Sequence, residues 1–369
     1  MRKLITFILI IVLSVGGYAS PKKSFEIKRG VNLSHWLSQR GENTPSIQDG
    51  MSATDFSRIA RAGFDHVRLP IDEEVLWQEN GQKNKEAFSY LHKGIEWALK
   101  NDLRVIVDLH IVRSHYFNAG NEGKKNSLWE KPEAQTHFLA LWQDLVQELK
   151  GYSTSDVAYE IMNEPTAPNH EDWNKLVEKA YQIIRKVEKE RVIVIGSNMW
   201  QGVDTFQYLK VPQGDEFILL SCHFYEPFLL SHYQAGWTEF GKYQGNVHYP
   251  GYLVSKDEFD SLSADDKKLV ARWRTTPWNR ETLSAFLSKA KRVADEKGLN
   301  LYCGEFGIYE KAPIESALKW YADVISVFDS LNIAWAKWDY KGGFGIYTSQ
   351  NQQKKDLLKV LMSGSGKKV

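Results

Sequence analysis

The sequence predicts an α/β protein built as one (β/α)8 barrel, and three observations support this. Eight short runs rich in β-branched and aromatic residues recur along the chain, with helical patterns between them. Several runs, such as VIVDLH and VIVIG, are nearly continuous in apolar residues, which is typical of strands covered on both faces. Alternating strands and helices favour a parallel sheet, and a count of eight favours a closed TIM barrel over an open sheet.

The predicted elements follow one another in a regular order. The strands cover residues 26–33, 66–71, 104–110, 157–163, 191–196, 217–225, 300–306 and 333–339. The clearest helices cover residues 54–62, 85–100, 132–150, 171–188, 281–297 and 313–331. The first helix follows Ser52, a candidate N-cap, and ends before Gly63. The second repeats apolar residues on one face, and the third has Pro132 in its first turn and ends before Gly151.

Composition and charge narrow the class of protein. Hydrophobic residues make up 43% and charged residues 25%, a globular balance that excludes a disordered or fibrous protein. The 47 basic and 46 acidic residues give a net charge of +1, so no overall field attracts nucleic acid or an anionic membrane. No Gly-x-Gly-x-x-Gly follows the first strand, so a dinucleotide-binding fold lacks its fingerprint. The 13 Trp, 17 Tyr and 17 Phe are too many for one core, which places some of them on surfaces or in clefts.

The N-terminal residues have the pattern of an export signal. Arg2 and Lys3 precede an almost wholly apolar run over residues 4–15, and Ala19 is suited to signal peptidase. The run is short for a bilayer span, although an uncleaved membrane anchor is the alternative. We therefore expect a signal peptide over residues 1–19, a secreted or periplasmic barrel domain over 20–362 and a frayed polar tail over 363–369. The mature protein is expected to be a monomer without a membrane partner.

Export would permit a disulfide between Cys222 and Cys303, but strand alternation argues against one. Cys222 lies one residue before His223, and Cys303 lies two residues before Glu305. If His223 and Glu305 face the same interior, Cys222 faces away from it and Cys303 faces inward. The sequence therefore predicts two buried free thiols.

Two connections are too long to be simple turns. Residues 111–131 follow the third strand, and residues 226–279 follow the sixth. Both leave the C-terminal ends of strands, where the active sites of such barrels are built. The second connection is rich in aromatic residues: Trp237, Tyr243, Tyr249, Trp273 and Trp278.

Two glutamates stand at predicted strand ends. Glu164 follows Asn163 at the end of the fourth strand, and Glu305 lies at the end of the seventh, in YCGEFG. A carboxylate at a barrel mouth is costly unless it is paired, solvated or used. Two carboxyls about 5 Å apart can cleave a glycosidic bond with retention, if one keeps a proton through a raised pKa and the other stays ionised. The alternative is a pair of structural carboxylates bound to arginines.

Polar and aromatic side chains recur at the ends of other strands: Arg68, His110, His223, Tyr225 and Trp338. Arg68 can keep a carboxylate ionised, and Tyr225 can donate a hydrogen bond to the same group. The two histidines can bind sugar hydroxyls or carboxylates, and Trp338 offers a flat apolar face for a sugar ring. Each residue alone has an ordinary structural interpretation, but their recurrence across strands favours a functional one.

At this point the chain resembles glycoside hydrolase family 5, the cellulase family of retaining (β/α)8 glycosidases. The matching motifs, in the family's order, are GVNLSHW at 30–36, HVRLP at 66–70, DLH at 108–110, NEP at 163–165, HFY at 223–225, GEFG at 304–307 and a tryptophan at 338. The resemblance implies Glu164 as the acid/base and Glu305 as the nucleophile. It also implies a supporting set: Arg68, His110, Asn163, His223, Tyr225 and Trp338.

Two further residues are candidates for substrate contact at the border of the cleft. Ser34 and His35 stand where many relatives have two glycines, so His35 faces a part of the cleft that differs from theirs. Trp200, just past the fifth strand, either lies further along the cleft or packs a loop.

The resemblance implies an enzyme that cleaves internal β-1,4-glucosidic bonds of cellulose or related β-glucans by double displacement, without a metal or other cofactor, and the N-terminal pattern predicts that it is secreted. A β-mannanase, a xyloglucanase and an exo-β-glucanase remain alternatives on the same fold. A non-catalytic carbohydrate-binding protein and a metal-dependent barrel hydrolase are alternatives from other classes, and a calcium ion in a long loop stays open.

Overall fold

The strands form a closed barrel. The computed structural model describes residues 24–42, 44–119, 125–348, 352–364 and 368–369. In these residues, eight parallel strands pair in sequence order, and the last pairs with the first. The strands are β1 Arg29–Asn32, β2 His66–Asp72, β3 Arg104–Ile111, β4 Val157–Glu160, β5 Ile193–Gly196, β6 Ile218–Phe224, β7 Asn300–Phe306 and β8 Ala334–Lys337. The predicted (β/α)8 barrel is confirmed.

Helices connect the strands on the outside of the barrel. The α-helices are α1 Ile47–Gly50, α2 Ala53–Arg61, α3 Glu73–Leu76, α4 Lys85–Leu99, α5 Pro132–Leu149, α6 His170–Val187, α7 Phe228–Ser231, α8 Lys256–Ser261, α9 Ala264–Val270, α10 Arg280–Glu296, α11 Ile314–Leu331 and α12 Lys355–Leu361. Short 3-10 helices cover Ser127–Trp129, Val203–Tyr208, Glu239–Lys242 and Ala271–Arg274. The predicted signal peptide lies outside the described residues, and no described helix is long and apolar enough to cross a membrane.

Side-chain caps fix where three of the long helices begin. The side chain of Asn84 accepts hydrogen bonds from the first turn of α4. Asn169 and Asn279 do the same for α6 and α10. Each cap satisfies backbone N–H groups that have no partner inside the helix, and such a cap stabilises a helix by about 1 kcal/mol.

The core has two layers, one on each side of the sheet. The outer layer packs the strands against the surrounding helices and includes Trp142, Trp320 and Phe328. The inner layer fills the barrel at the level opposite the mouth: Ile27, Ile106, Ala158, Val194, Leu219, Tyr302, Ala334 and Ala336. Nearer the C-terminal ends of the strands, polar residues replace these apolar ones. The barrel interior is therefore filled with apolar side chains at one end and lined with polar side chains at the other.

Strand β7 contains a β-bulge that changes which side chains face the barrel interior. Cys222 pairs with Cys303, whereas the next residue, His223, pairs with Glu305. Gly304 is therefore an extra residue in β7, and the pairing with β8 shows the same shift. Both cysteines lie in the outer layer as buried free thiols. The prediction of free thiols is confirmed, but the prediction that Cys303 faces inward is wrong because the bulge reverses the alternation.

Two strands end two or three residues earlier than their apolar pattern predicts. β4 ends at Glu160 rather than at residue 163, and β8 ends at Lys337 rather than at residue 339. Asn163, Glu164 and Trp338 therefore stand on the loops that follow these strands. The predicted fraying of the C-terminal tail does not extend to Val369, whose backbone exchanges two hydrogen bonds with Ile27 at the barrel floor, at 3.0 and 2.9 Å.

Candidate active site

Arg68 lies at the centre of the barrel mouth and binds three carboxylates. Its side chain projects from β2 and is completely buried. Nε donates to Oε2 of Glu160 at 2.7 Å, Nη1 donates to Oε1 of Glu305 at 2.7 Å, and Nη2 lies 2.9 Å from Oδ2 of Asp108. Burial alone would lower the pKa of Arg68, but the charges of the three carboxylates raise that pKa well above its usual value. The guanidinium stays a cation and joins carboxylates from three strands.

Glu164 and Glu305 face each other beside His223. The side-chain atoms that these three residues present to one another lie within 4.8 Å. Oε2 of Glu305 accepts a hydrogen bond from the hydroxyl of Tyr225 at 2.9 Å. Oε1 of Glu164 lies 2.7 Å from Nδ1 of His223. Carboxyl pairs of retaining glycosidases are about 5 Å apart, whereas pairs that leave room for a water between them are roughly 6.5–9.5 Å apart.

The two carboxyl groups have different environments. Burial and the nearby charge of Glu305 raise the pKa of Glu164 well above its usual range. Burial also raises the pKa of Glu305, but the charge of Arg68 and the hydrogen bond from Tyr225 oppose that rise. Burial holds the pKa of His223 well below its usual value, so its ring is neutral. These environments favour the proton of the pair on Glu164 and the negative charge on Glu305.

His110 and Trp338 form one wall of the site. Their rings are parallel within 5°, with centroids 5.6 Å apart. Nδ1 of His110 lies 2.6 Å from Oδ2 of Asp108. Burial, together with the charge of Arg68, lowers the pKa of His110 to about 3, so this ring is neutral as well. A neutral histidine beside an indole gives a surface that can both bind hydroxyls and pack against a sugar ring.

Comparisons with known proteins agree with this geometry. The model of the cellulase family, glycosyl hydrolase family 5, matches residues 28–343. The chain belongs to glycosyl hydrolase family 5. Endoglucanase C of Acetivibrio thermocellus is 31% identical to it over 342 residues, which cover 91% of this chain and 97% of that protein. Cellodextrinase A of Ruminococcus flavefaciens is 28% identical over 313 residues, covering 85% of each.

Solved structures of the family share the fold. Thermotoga maritima Cel5A in complex with cellobiose superposes with a TM-score of 0.73 at 28% identity, over 91% of this chain and 97% of that one. The same protein has been solved with mannotriose, and that structure superposes with a TM-score of 0.72. This family 5 member is therefore an O-glycosyl hydrolase that resembles endoglucanases.

The structure of this family 5 chain brings most of the predicted site residues into one cleft. They are Arg68, His110, Asn163, Glu164, His223, Tyr225, Glu305 and Trp338. Oδ1 of Asn163 accepts a hydrogen bond from Nη2 of Arg68 at 2.9 Å, which fixes the orientation of its amide. These residues come from six strands or the loops that follow them, so only the closed barrel brings them together.

The rim of the cleft is formed by exposed side chains. Trp200 is 47% exposed, and its Nε1 donates to the main-chain oxygen of Phe117, whose ring lies against His110. His35 is exposed in a loop that follows β1. Trp237 is 50% exposed beside Tyr309, after β7.

The remaining tryptophans of the long connection after β6 have a different place. Trp273 and Trp278 are buried among the helices of this connection and against α10, where Trp278 stacks on Phe286. These two tryptophans therefore pack the connection and do not line the cleft.

Four buried residues of the site were not singled out from the sequence, and one of them is Asp108, the partner of Arg68 and His110 described above. Glu160 binds Arg68 through both carboxylate oxygens, and Asn32 accepts from Nη1 of Arg68 at 3.0 Å. Gln201 donates to Oε1 of Glu160 at 3.2 Å. Alternation from Ala158 would have placed Glu160 inside the barrel, where a lone carboxylate requires a cation. Gln201 gave no such signal, because its position depends on the turn that precedes it.

One group of described residues has the donor atoms for a metal ion, and it is the site itself. Glu164, His223 and Glu305 present their ligand atoms within 4.8 Å of one another. Arg68 and Tyr225 already occupy the two oxygens of Glu305. A cation bound there would compete with the Arg68 guanidinium for the same carboxylate, so this donor set fits a reacting carboxyl pair better than a resident metal.

Proposed function

We propose that this protein is a secreted endo-β-1,4-glucanase that hydrolyses cellulose or related β-glucans with retention of anomeric configuration. The observation that supports it most is that a carboxyl oxygen of Glu164 and one of Glu305 lie within 4.8 Å of each other. Their different environments favour a protonated Glu164 and an ionised Glu305. The names of two relatives, Endoglucanase C and Cellodextrinase A, support a β-1,4-glucan as the substrate.

Hydrolysis proceeds in two displacements. In the first, a carboxylate oxygen of Glu305 attacks the anomeric carbon while Glu164 gives its proton to the leaving oxygen. The glycosidic bond breaks, and Glu305 becomes esterified to the sugar. In the second, Glu164, now ionised, takes a proton from a water molecule whose oxygen attacks the same carbon. The ester bond breaks, and Glu305 returns to the carboxylate.

Buried side-chain nitrogens without a protein partner favour a hydroxyl-rich ligand. Nδ2 of Asn163 and Nε2 of His110 are buried and have no hydrogen-bond partner among the described residues. Buried polar atoms are costly when unpaired, so a site with several of them is complete only when a ligand supplies acceptors or donors. Sugar hydroxyls supply both, and Trp338 beside them offers an apolar face for the ring.

A β-mannan is the second candidate substrate. Thermotoga maritima Cel5A, which shares the fold and 28% of the sequence, has been solved with both cellobiose and mannotriose. The acid/base and nucleophile chemistry is the same for glucosides and mannosides, which differ in the configuration of one hydroxyl. Initial rates on carboxymethyl-cellulose, mixed-linkage β-glucan, xyloglucan and mannan, measured at equal substrate mass, decide between them.

The roles of the two glutamates have separate tests. We expect Glu305→Ala to lose about 10⁴-fold or more in kcat, and azide to restore turnover with a product of inverted configuration. We expect Glu164→Ala to lose much less rate in the first step with a 2,4-dinitrophenyl cellobioside than with a cello-oligosaccharide, because a good leaving group needs little acid help. Near-full activity of Glu305→Ala, or equal losses of Glu164→Ala on both substrates, would contradict the mechanism.

The mode of attack and the destination of the protein are also part of the proposal. An endo-acting enzyme lowers the viscosity of carboxymethyl-cellulose early, before many reducing ends appear. Steady release of one small sugar with a slow fall in viscosity would instead identify an exo-acting enzyme. Expression of the full chain in a Gram-negative host, followed by N-terminal sequencing of the periplasmic product, tests cleavage after Ala19.

A further inference from the structure

The backbone of Glu164 has a conformation that most residues avoid. Its φ is +45°, in the left-handed region that favours glycine. Because Glu164 has a Cβ atom, the surrounding structure must hold this conformation in place. The groups that bond to the Glu164 backbone therefore determine where its carboxyl group points.

The side chain of Gln201 provides that bond. Its Oε1 accepts from the main-chain N–H of Glu164 at 3.0 Å, and its Nε2 donates to Oε1 of Glu160 at 3.2 Å. Its main-chain oxygen accepts from the N–H of His223 at 3.0 Å. Gln201 is completely buried and does not touch the cleft surface. One residue thus contacts the backbone of both Glu164 and His223, whose side chains meet at 2.7 Å.

The local chain is shaped to bring the Gln201 amide to this place. Met199, Trp200 and Gln201 have φ values of +58°, +57° and +54°, so three consecutive residues with side chains form a left-handed turn. Gly196, at the end of β5, supplies the space, because a Cβ atom there would collide with the Gln201 side chain. Unfavourable backbone and a required glycine persist where a specific arrangement is needed.

We propose that Gln201 is a positioning residue that fixes the carboxyl group of Glu164 against the leaving oxygen of the substrate. This inference rests on the acid/base role proposed above for Glu164. Arg68 binds both Glu305 and Glu160. Gln201 links Glu160 to the backbone of Glu164. A continuous set of buried hydrogen bonds therefore connects the nucleophile to the acid/base.

Loss of this amide has a specific kinetic consequence. Without the acceptor, the buried N–H of Glu164 has lost its partner, and the left-handed backbone relaxes toward a common conformation. The Glu164 carboxyl then moves relative to the leaving oxygen, and a misplacement of about 1 Å can cost about 10²-fold in rate. The loss falls on substrates that need proton transfer, while the attack by Glu305 is preserved.

The test compares two leaving groups in Gln201→Met, which keeps the size of the side chain and removes both hydrogen bonds. We expect kcat on a cello-oligosaccharide to fall about 10- to 100-fold, and the first-step rate on a 2,4-dinitrophenyl cellobioside to fall less than about 3-fold. We also expect the high-pH limb of the rate profile to move to lower pH. A Glu164 carboxyl that has moved away from Glu305 is repelled less and gives up its proton more readily.

Two further variants and a control make the result specific. Gln201→Glu keeps the acceptor for the Glu164 N–H. The adjacent Glu160 carboxylate keeps the new carboxyl protonated, so it also keeps a donor to Glu160, and we expect a leaving-group ratio close to that of the wild type. Gly196→Ala displaces the Gln201 amide without removing it, so it must show the pattern of Gln201→Met even if the latter fails to fold. The control is Gln207→Met, the same substitution at an exposed position of a 3-10 helix.

The outcomes separate this inference from the proposed function. If Gln201→Met and Gly196→Ala lose rate equally on both substrates with an unchanged pH profile, Gln201 is merely structural and the inference is overturned. Glu164→Ala is measured beside them. If Glu164→Ala itself shows no dependence on the leaving group, the acid/base assignment fails, and the inference fails with it.

Discussion

Replacing Arg68 by lysine should move the acid limb of the pH–rate profile upward. Arg68 makes hydrogen bonds or ion pairs with three carboxylates and two asparagines from five N–H donors, whereas lysine has three. At least two bonds are lost. A hydrogen bond to a charged group contributes roughly 1.5–3 kcal/mol, so the free energy of unfolding should fall by roughly 3–6 kcal/mol.

The effect on catalysis depends on whether the hydrogen bond from Arg68 to Glu305 is among those lost. If the bond from Nη1 to Oε1 of Glu305 is among those lost, its ionised form loses roughly 1.5–3 kcal/mol, and its pKa rises by about one to two units. Glu305 must be ionised to attack. Its raised pKa therefore shifts the ascending limb of kcat/KM, which reports the free enzyme, by the same amount toward higher pH.

The assay is kcat/KM on a 2,4-dinitrophenyl cellobioside across the acid range, with denaturant unfolding of the same samples. Arg58→Lys is the matched control, because the side chain of Arg58 is 40% exposed and lies outside the active site, 3.5 Å from the carboxylate of Asp55. An Arg68→Lys variant that loses stability but keeps the wild-type acid limb would refute the reasoning that Arg68 sets the ionisation of Glu305.

Three other predictions follow from the same structure. Trp338→Ala should lower kcat as well as raise KM, because packing against a distorting sugar ring strengthens in the transition state; steady-state kinetics on cellotetraose checks this. Trp237→Ala should reduce kcat/KM more for long substrate chains than for short ones and leave the free energy of unfolding unchanged. Trp273→Ala should instead lower the free energy of unfolding by about 3–5 kcal/mol. Equal effects of the two variants on chain-length preference would contradict a substrate contact at Trp237 alone. Cys222 and Cys303, both fully buried, should not react with a thiol reagent in the native protein and should both react after unfolding.

The fold was predictable because its periodic signals are local. Each strand is a short apolar run, and each long helix has an amphipathic pattern. Eight strands that alternate with helices are typical of a closed parallel barrel, so the order of the elements was enough to predict the fold. The ends of β4 and β8 were not predictable to the residue. An apolar pattern reports burial, and the residues that follow Glu160 and Lys337 remain buried after the strand ladder has ended.

The candidate site was predictable where a residue stands in a motif at a strand end. Glu164 and Glu305 are of that kind. Gln201 is not, because its contact with Glu164 depends on a left-handed turn and on the space left at Gly196, neither of which the sequence pattern indicates. The inward orientation expected for Cys303 failed for a similar reason, since one extra residue in β7 is invisible to an alternation count.

That extra residue makes the length of β7 as important as its composition. Tyr302 belongs to the inner layer, and Glu305, three positions later, still reaches the barrel mouth because Gly304 resets the alternation. A regular strand of the same length, with Gly304 paired in the ladder instead of bulged, would turn Glu305 toward the helices, because three positions separate Glu305 from the inward-facing Tyr302. Chimeras that exchange this strand with that of another barrel must therefore preserve the bulge. A regular strand with the same spacing between Tyr302 and Glu305 would place the carboxylate on the helix side of the sheet.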